Sequence, residues 1–303
     1  MSADLTGMRS QVHGDTVVHT FANGLTVTAE PSGKRDRLRI LPLTRLQGAL
    51  LNHLVRHPSK AERKTVFEPF AGSGAFGFMA LALGAERADF LDINPRAADF
   101  HSGTATANGF PATAFRSVTG DLRDFAPEEP YDLVLANPPF LPTPDCITGT
   151  LNSNGGPDGN TLLDVLLERL PALLKPEGEA LVILYQLVRD GIPLAAAAAR
   201  ARVPRRPVEF TPLQDEPVPL ARYAQAYEDQ HPAEVEGIRG WRNALERTHG
   251  PGLTLAHYVM HLGSEDDTEA FSTVRDNAAE KFGSAFLIAR SDPDYMPVDG
   301  RRH

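Results

Sequence analysis

Two hydrophobic periods alternate along this chain, and the switch between them sets out the architecture. Residues 15–30 alternate, with Val17, His19 and Phe21 on one side and Asn23-Gly24 between the two halves. That dipeptide favours the tight turn of a two-stranded ribbon, so a small N-terminal hairpin is predicted. Leu46, Leu50, Leu51 and Leu54 then recur at helical spacing behind Thr44 as a cap, with Pro58 just beyond. From Thr65 onward, short apolar runs alternate with helical stretches. Strands are predicted over 66–70, 88–91, 113–118, 132–136 and 180–185, and helices after Gly72, over 97–108 with Gly109 as the stop, and over 161–174 behind Asn160. Further on, 194–203 reads as helix, 208–213 and 253–262 as strands, and 217–250 as a helical insertion holding Tyr223, Tyr227 and Trp241. A short apolar run follows at 285–288, and a mobile tail is expected from Ser291.

Strand–helix alternation of this kind predicts an α/β fold: a doubly wound, mostly parallel sheet of seven strands. Residues 1–60 form an N-terminal hairpin-and-helix cap in this reading, and 61–303 the main domain, with a lid at about 217–250.

The polar residues that could do chemistry stand where the predicted strands end, the edge at which such sheets bind ligands. Gly72-Ser73-Gly74-Ala75-Phe76-Gly77 fits G-x-G-x-x-G between a strand and a helix, the context in which that spacing binds a nucleoside cofactor. Asp92 ends the next strand, 20 residues after Gly72, where a carboxylate can accept both ribose hydroxyls. Asn137-Pro138-Pro139-Phe140 ends a further strand. Neither proline has an N–H and both have φ fixed, so the turn is stiff. The Asn137 side-chain oxygen and the Pro138 carbonyl can accept the two N–H bonds of a planar NH2 group, and the Phe140 ring offers a stacking face.

A nicotinamide cofactor would use the same glycines and leave that clamp unexplained. S-adenosyl-L-methionine (SAM) accounts for both halves. Asp121 is placed to accept from the adenine amino group, Ile93 and Leu122 to flank the ring, and Glu68 to meet the ammonium. The segment from about Thr65 to Tyr185 resembles the class I SAM-dependent methyltransferases. Glu68-Pro69-Phe70-Ala71-Gly72-Ser73-Gly74 is similar to their first motif, Phe90-Leu91-Asp92-Ile93-Asn94 to the second, Gly120-Asp121-Leu122 to the third and Asn137-Pro138-Pro139-Phe140 to the fourth. In that superfamily the fourth motif marks methylation of amide or exocyclic amino nitrogen. Gly155-Gly156-Pro157-Asp158-Gly159 is also similar to the glutamine methyltransferases of release factors, and the stretch from Phe70 to Gly77 to ribosomal-RNA guanine-N2 methyltransferases. The resemblance implies SAM binding by Glu68, Phe70, Ala71, Gly72, Ser73, Gly74, Asp92, Ile93, Asp121, Leu122 and Asn137, and catalysis by Asn137, Pro138, Pro139 and Phe140.

Composition narrows the acceptor. A net charge of −9 argues against bulk nucleic acid, so a small molecule or a peptide or protein side chain ranks ahead of RNA or DNA. Two basic clusters exist, Lys34, Arg35, Arg37 and Arg39, and Arg200, Arg202, Arg205 and Arg206, both read as solvated surface. A SAM-consuming cyclase of the azetidine-2-carboxylate-forming type, releasing methylthioadenosine, is the alternative chemistry, and a non-catalytic SAM-binding scaffold a third reading. Cys146 is the only cysteine, and no metal-ligand spacing is present. No signal peptide or membrane span is visible, so a cytoplasmic setting is expected. Tyr185 and Gln186 end a strand beside the expected pocket, His257 and His261 are read as packed, and 141–160 as a possible gating loop.

Overall fold

The computed structural model describes residues 5–31, 38–265 and 273–274. Lys34, Arg35, Arg37, the apolar run at 285–288 and the tail from Ser291 lie outside them. The chain opens with β1 (Arg9–His13), β2 (Thr16–Thr20) and β3 (Thr26–Ala29), an antiparallel three-stranded sheet rather than the two-stranded hairpin that was expected. Every residue of β1 is exposed, so it carries no alternation that a pattern could register. Helix α1 (Arg45–Arg56) starts at a capping box: Thr44 accepts from the Leu46 N–H, and Gln47 reaches back to the Thr44 backbone.

The main domain follows as β4 (Thr65–Pro69), α2 (Ala75–Ala82), β5 (Arg87–Asp92), α3 (Ala97–Asn108), β6 (Phe115–Thr119), β7 (Tyr131–Ala136), α4 (Thr161–Leu173), β8 (Leu174–Arg189), β9 (Ile192–Pro193), α5 (Ala195–Arg202), β10 (Val208–Pro212), β11 (Val218–Pro219), α6 (Leu220–Gln230), α7 (Val235–His249), β12 (Thr254–Leu262) and β13 (Thr273–Val274). The principal strands run in the order β10-β12-β8-β7-β4-β5-β6. The five from β4 to β8 are parallel to their neighbours, and β12 runs antiparallel between β8 and β10. The two-residue strands β9, β11 and β13 pair with β8, β12 and β10.

Two apolar layers sandwich the sheet. Alternate residues of β8 divide between them: Leu181, Ile183, Tyr185 and Leu187 face α1, α2, α6 and α7, while Ala180, Val182 and Leu184 face α4 and α5. Helix α2 is buried almost all round, so it carries little amphipathic signal.

In the second basic cluster Arg200 and Arg205 are exposed, as expected of a solvated surface, but Arg206 is not. Arg206 is 2% exposed and donates to the carbonyls of Gly178, Gly263 and Lys175. Arg202 pairs with Asp164 and Glu168, and Arg205 with Glu265. A buried guanidinium has five donors to place, and strand-end carbonyls place three of the bonds here.

Candidate active site

The β4–α2 loop turns through backbone conformations that side chains resist. Phe70 has φ +58, Gly72 +52 and Gly74 +75. A Cβ at Gly72 would point into open space, so the glycine serves the turn and leaves room for a ligand. A Cβ at Gly77 would lie 2.4 Å from the Phe90 ring, so that glycine serves close packing of α2 on β5. His101 supports the loop from behind. Burial lowers its pKa to about 4, leaving a neutral ring whose Nε2–H donates to the Gly72 carbonyl at 3.0 Å while Nδ1 accepts from the Ser117 hydroxyl.

Asp92 ends β5 beside this loop. Its carboxylate accepts from the backbone N–H of Gly72 at 2.7 Å and of Asn94 at 2.8 Å. Burial pushes its pKa up, against the pull of those two donors. Glu68, in β4, is 3% exposed and turned toward the first turn of α2, accepting from Gly77 at 2.6 Å and more distantly from Phe76. Burial, with a smaller push from Asp92, raises its pKa to about 8.

These groups line a cavity of about 300 Å3 at the carboxyl edge of the sheet. Glu68, Phe70, Ala71, Gly72, Ser73, Asp92, Ile93, Asp121, Leu122, Asn137 and Pro139 all reach it. Ile93 is 51% exposed, an unusual state for an isoleucine flanking a cleft. Asp121 is held by the backbone N–H and the guanidinium of Arg123, each at 2.9 Å. Gly74, Pro138 and Phe140 do not line the cavity. Gly74 occupies the N-cap position of α2. Phe140 is buried and meets the ring of His257 edge-on at 6.2 Å between centroids, so the stacking face expected of it is turned into packing.

Burial leaves the side-chain oxygen of Asn137 unexplained at this edge. Oδ1 is buried and has no hydrogen-bond partner among the described residues. A buried acceptor left unmade costs about 1–3 kcal/mol, so the position asks for a donor. Tyr185 lies on the same face of the adjacent strand. It is fully buried against His257, and its hydroxyl also lacks a partner among the described residues. His257 is neutral, its pKa lowered by burial to about 3, and its Nδ1 lies 2.8 Å from Gln214 Oε1. Gln186 is fixed between Asn160 Oδ1 and the Ala195 N–H. Asn160 therefore precedes α4 without giving it a side-chain cap, contrary to expectation. His261 pairs with Glu179. No grouping of metal-binding side chains occurs among the described residues.

The sequence pattern did not show that residues 39–43 form a strap over the cavity. Arg39, Ile40, Leu41, Pro42 and Leu43 line it, together with Gln47, Leu151, Asn152 and Leu162. The strap is moored by backbone pairing of Glu30 with Ile40, by Asn94 Nδ2 to the Leu38 carbonyl at 2.7 Å, and by the Leu43 N–H to His19 Nε2 at 3.0 Å. Glu30 also pairs with Arg96. The apolar run Ile40-Leu41-Pro42-Leu43 just before a helix cap was its only trace in the sequence.

A glycine turn and a carboxylate at the next strand end meet, with Asn137, around one cavity at the carboxyl edge of a doubly wound sheet, the place where such sheets bind ligands. A family model described as "Conserved hypothetical protein 95" matches residues 42–152. A Methanocaldococcus jannaschii protein named as a protein N5-glutamine methyltransferase is 30% identical over 146 residues, covering 45% of this chain and 70% of that protein. The chain belongs to the class I SAM-dependent methyltransferases, and SAM is its cofactor. The structure of a SAM-dependent methyltransferase from Agrobacterium tumefaciens shares the fold, with a TM-score of 0.51 at 15% identity over 84% of this chain and 72% of that one. A Streptococcus mutans structure assigned to the same activity aligns with a TM-score of 0.49 at 14% identity over 83% of this chain, which spans only 56% of its length. No helix among the described residues is long and apolar enough to cross a membrane.

Proposed function

We propose that this methyltransferase acts on a planar amide or amino nitrogen, and that the carboxamide of a glutamine in a peptide or protein is the first acceptor to try. The observation that carries this reading is the buried, unpartnered Oδ1 of Asn137, a residue that lines the same cavity as Asp92 and Gly72. The name of the Methanocaldococcus relative supports the choice of acceptor. A small-molecule amide or amine satisfies the same geometry.

The residues present fit the cofactor. Asp92 would hold the ribose hydroxyls, Asp121 the adenine amino group, Ile93 and Leu122 the ring faces, and Glu68 the ammonium, with the bare Gly72 leaving room for the methionine portion. SAM supplies a sulfonium-bound methyl, an electrophile that needs no further activation. The chain's own task is then placement. Asn137 Oδ1 accepts an N–H bond of the acceptor, turns its lone pair toward the cofactor side and stabilises positive charge developing on nitrogen. The surplus proton leaves to solvent, so no dedicated base is required.

The test is a product analysis with methyl-labelled SAM. Acceptors are free glutamine, a capped glutaminyl peptide, a protein fraction, simple aromatic amines and rRNA. The reading expects S-adenosylhomocysteine to form only when an amide or amine acceptor is present, with label on its nitrogen. Methylthioadenosine from SAM alone would show cyclisation instead, and label confined to rRNA would overturn the choice of acceptor.

A further inference from the structure

The Asn-Pro-Pro-Phe turn has a structural weakness. Pro138, Pro139, Pro142 and Pro144 crowd one short stretch, and none of them has an N–H. Such a segment has few N–H groups to offer a backbone ladder, so some of its carbonyls need donors from elsewhere. The helices α6 and α7 provide them. Tyr223 and Tyr227, one turn apart on α6, both donate to the Pro142 carbonyl, at 3.0 Å and 3.1 Å. Both side chains are fully buried. Trp241 of α7 donates to the Pro157 carbonyl at 2.8 Å, on the returning arm of the same loop, and its ring packs on both tyrosines.

The loop is closed on itself as well. Leu141 donates to Ser153, Gly155 to Leu141 and Thr143 to Gly156, at 2.9–3.0 Å. A Cβ at Gly155 would lie 2.7 Å from the Phe140 carbonyl carbon, and one at Gly159 2.5 Å from its oxygen. The stretch expected as a gating loop is therefore held on both arms. The aromatics expected to line a lid face its backbone and not the cavity.

We propose that Tyr223 and Tyr227 are positioning residues for the nitrogen clamp: by filling the Pro142 carbonyl they fix the turn that aims Asn137. This rests on the reading that Asn137 holds the acceptor nitrogen. Burial raises both tyrosine pKa values far above neutrality, so the hydroxyls remain donors at any working pH.

Tyr223→Phe/Tyr227→Phe keeps both rings and removes both donors. Amide hydrogen exchange is measured on the full chain with saturating S-adenosylhomocysteine, alongside kcat, KM and cofactor Kd with the best-turned-over acceptor of the panel above. Displacements of about 1 Å at a reacting centre cost on the order of 100-fold. The proposal expects at least ten-fold faster exchange at Leu141, Thr143 and Gly155, kcat at least ten-fold lower, and cofactor Kd within two-fold of the parent. Unchanged exchange, or parental kcat in a protein whose Asn137→Ala variant is inactive, would overturn it alone. Full activity in Asn137→Ala would instead overturn the clamp reading and this inference together. The single variants Tyr223→Phe and Tyr227→Phe provide the same readouts should the double variant fold poorly.

Discussion

Glu68→Gln tests the electrostatics at the base of the cofactor cleft through the pH dependence of stability. Burial raises the Glu68 pKa from 4.5 to about 8. The folded protein thus keeps a proton that the unfolded chain has already released, and stability falls as pH rises from about 4.5 to about 8. Buried histidines oppose this at low pH. His19 and His101 are lowered to about 4 and His257 to about 3, so each favours the fold increasingly as pH rises toward 6.5 and adds nothing beyond it. Between pH 6.5 and 8 the Glu68 effect stands clear of them. Over that interval, at about 1.36 kcal/mol per pH unit, the parent should lose roughly 2 kcal/mol. Glutamine has no proton to release and can still accept from Gly77 with its single oxygen. Urea melts at half-unit steps from pH 6.5 to 8.5 should show the parent declining and Glu68→Gln nearly flat. Asp92, shifted in the same direction, is common to both proteins. Parallel profiles would refute the assignment of a neutral Glu68. If its carboxylate meets the cofactor's ammonium, S-adenosylhomocysteine affinity should also rise over this window in the parent and not in the variant.

Three further outcomes follow from named contacts. Asp92→Ala removes the acceptor of the Gly72 and Asn94 amides as well as the expected ribose contact; calorimetry should show cofactor Kd raised at least 100-fold, with a stability loss of about 1–3 kcal/mol. Gly159→Ala places a Cβ 2.5 Å from the Phe140 carbonyl oxygen at a backbone φ of +82, so turnover should fall at least ten-fold while cofactor Kd changes little. Glu30→Gln weakens the Arg96 pair that moors the strap, and stopped-flow binding should show faster dissociation of S-adenosylhomocysteine.

Much of the sheet was legible because its strands are buried on both faces and read as short apolar runs between glycine and proline signals. Helix α3 matched its predicted span, with Gly109 left-handed at its end, because cap chemistry is local. Strand β8 was only half read. Leu174-Lys175-Pro176-Glu177-Gly178-Glu179 looks like a turn, yet it extends the strand, helped by an irregular register against Tyr131 and Leu133. That Gly72, Asp92 and Asp121 would meet at one sheet-edge cavity was legible for a similar reason, since motif spacing is a local property. The rest of the cavity was not. The strap, the burial of Phe140 and the anchoring of Pro142 by Tyr223 and Tyr227 join residues far apart in the chain, and each depends on tertiary placement that no period encodes.

The account centres on Asn137 as the group that holds the acceptor nitrogen beside the cofactor. Its most direct test is the single-turnover rate of methyl transfer in Asn137→Ala, measured with saturating acceptor together with the cofactor Kd. The account predicts a rate at least 100-fold below the parent with cofactor Kd within about three-fold, as expected when a preorganised polar group is removed from a transition state. A parental rate, or a loss explained wholly by weaker cofactor binding, would contradict it.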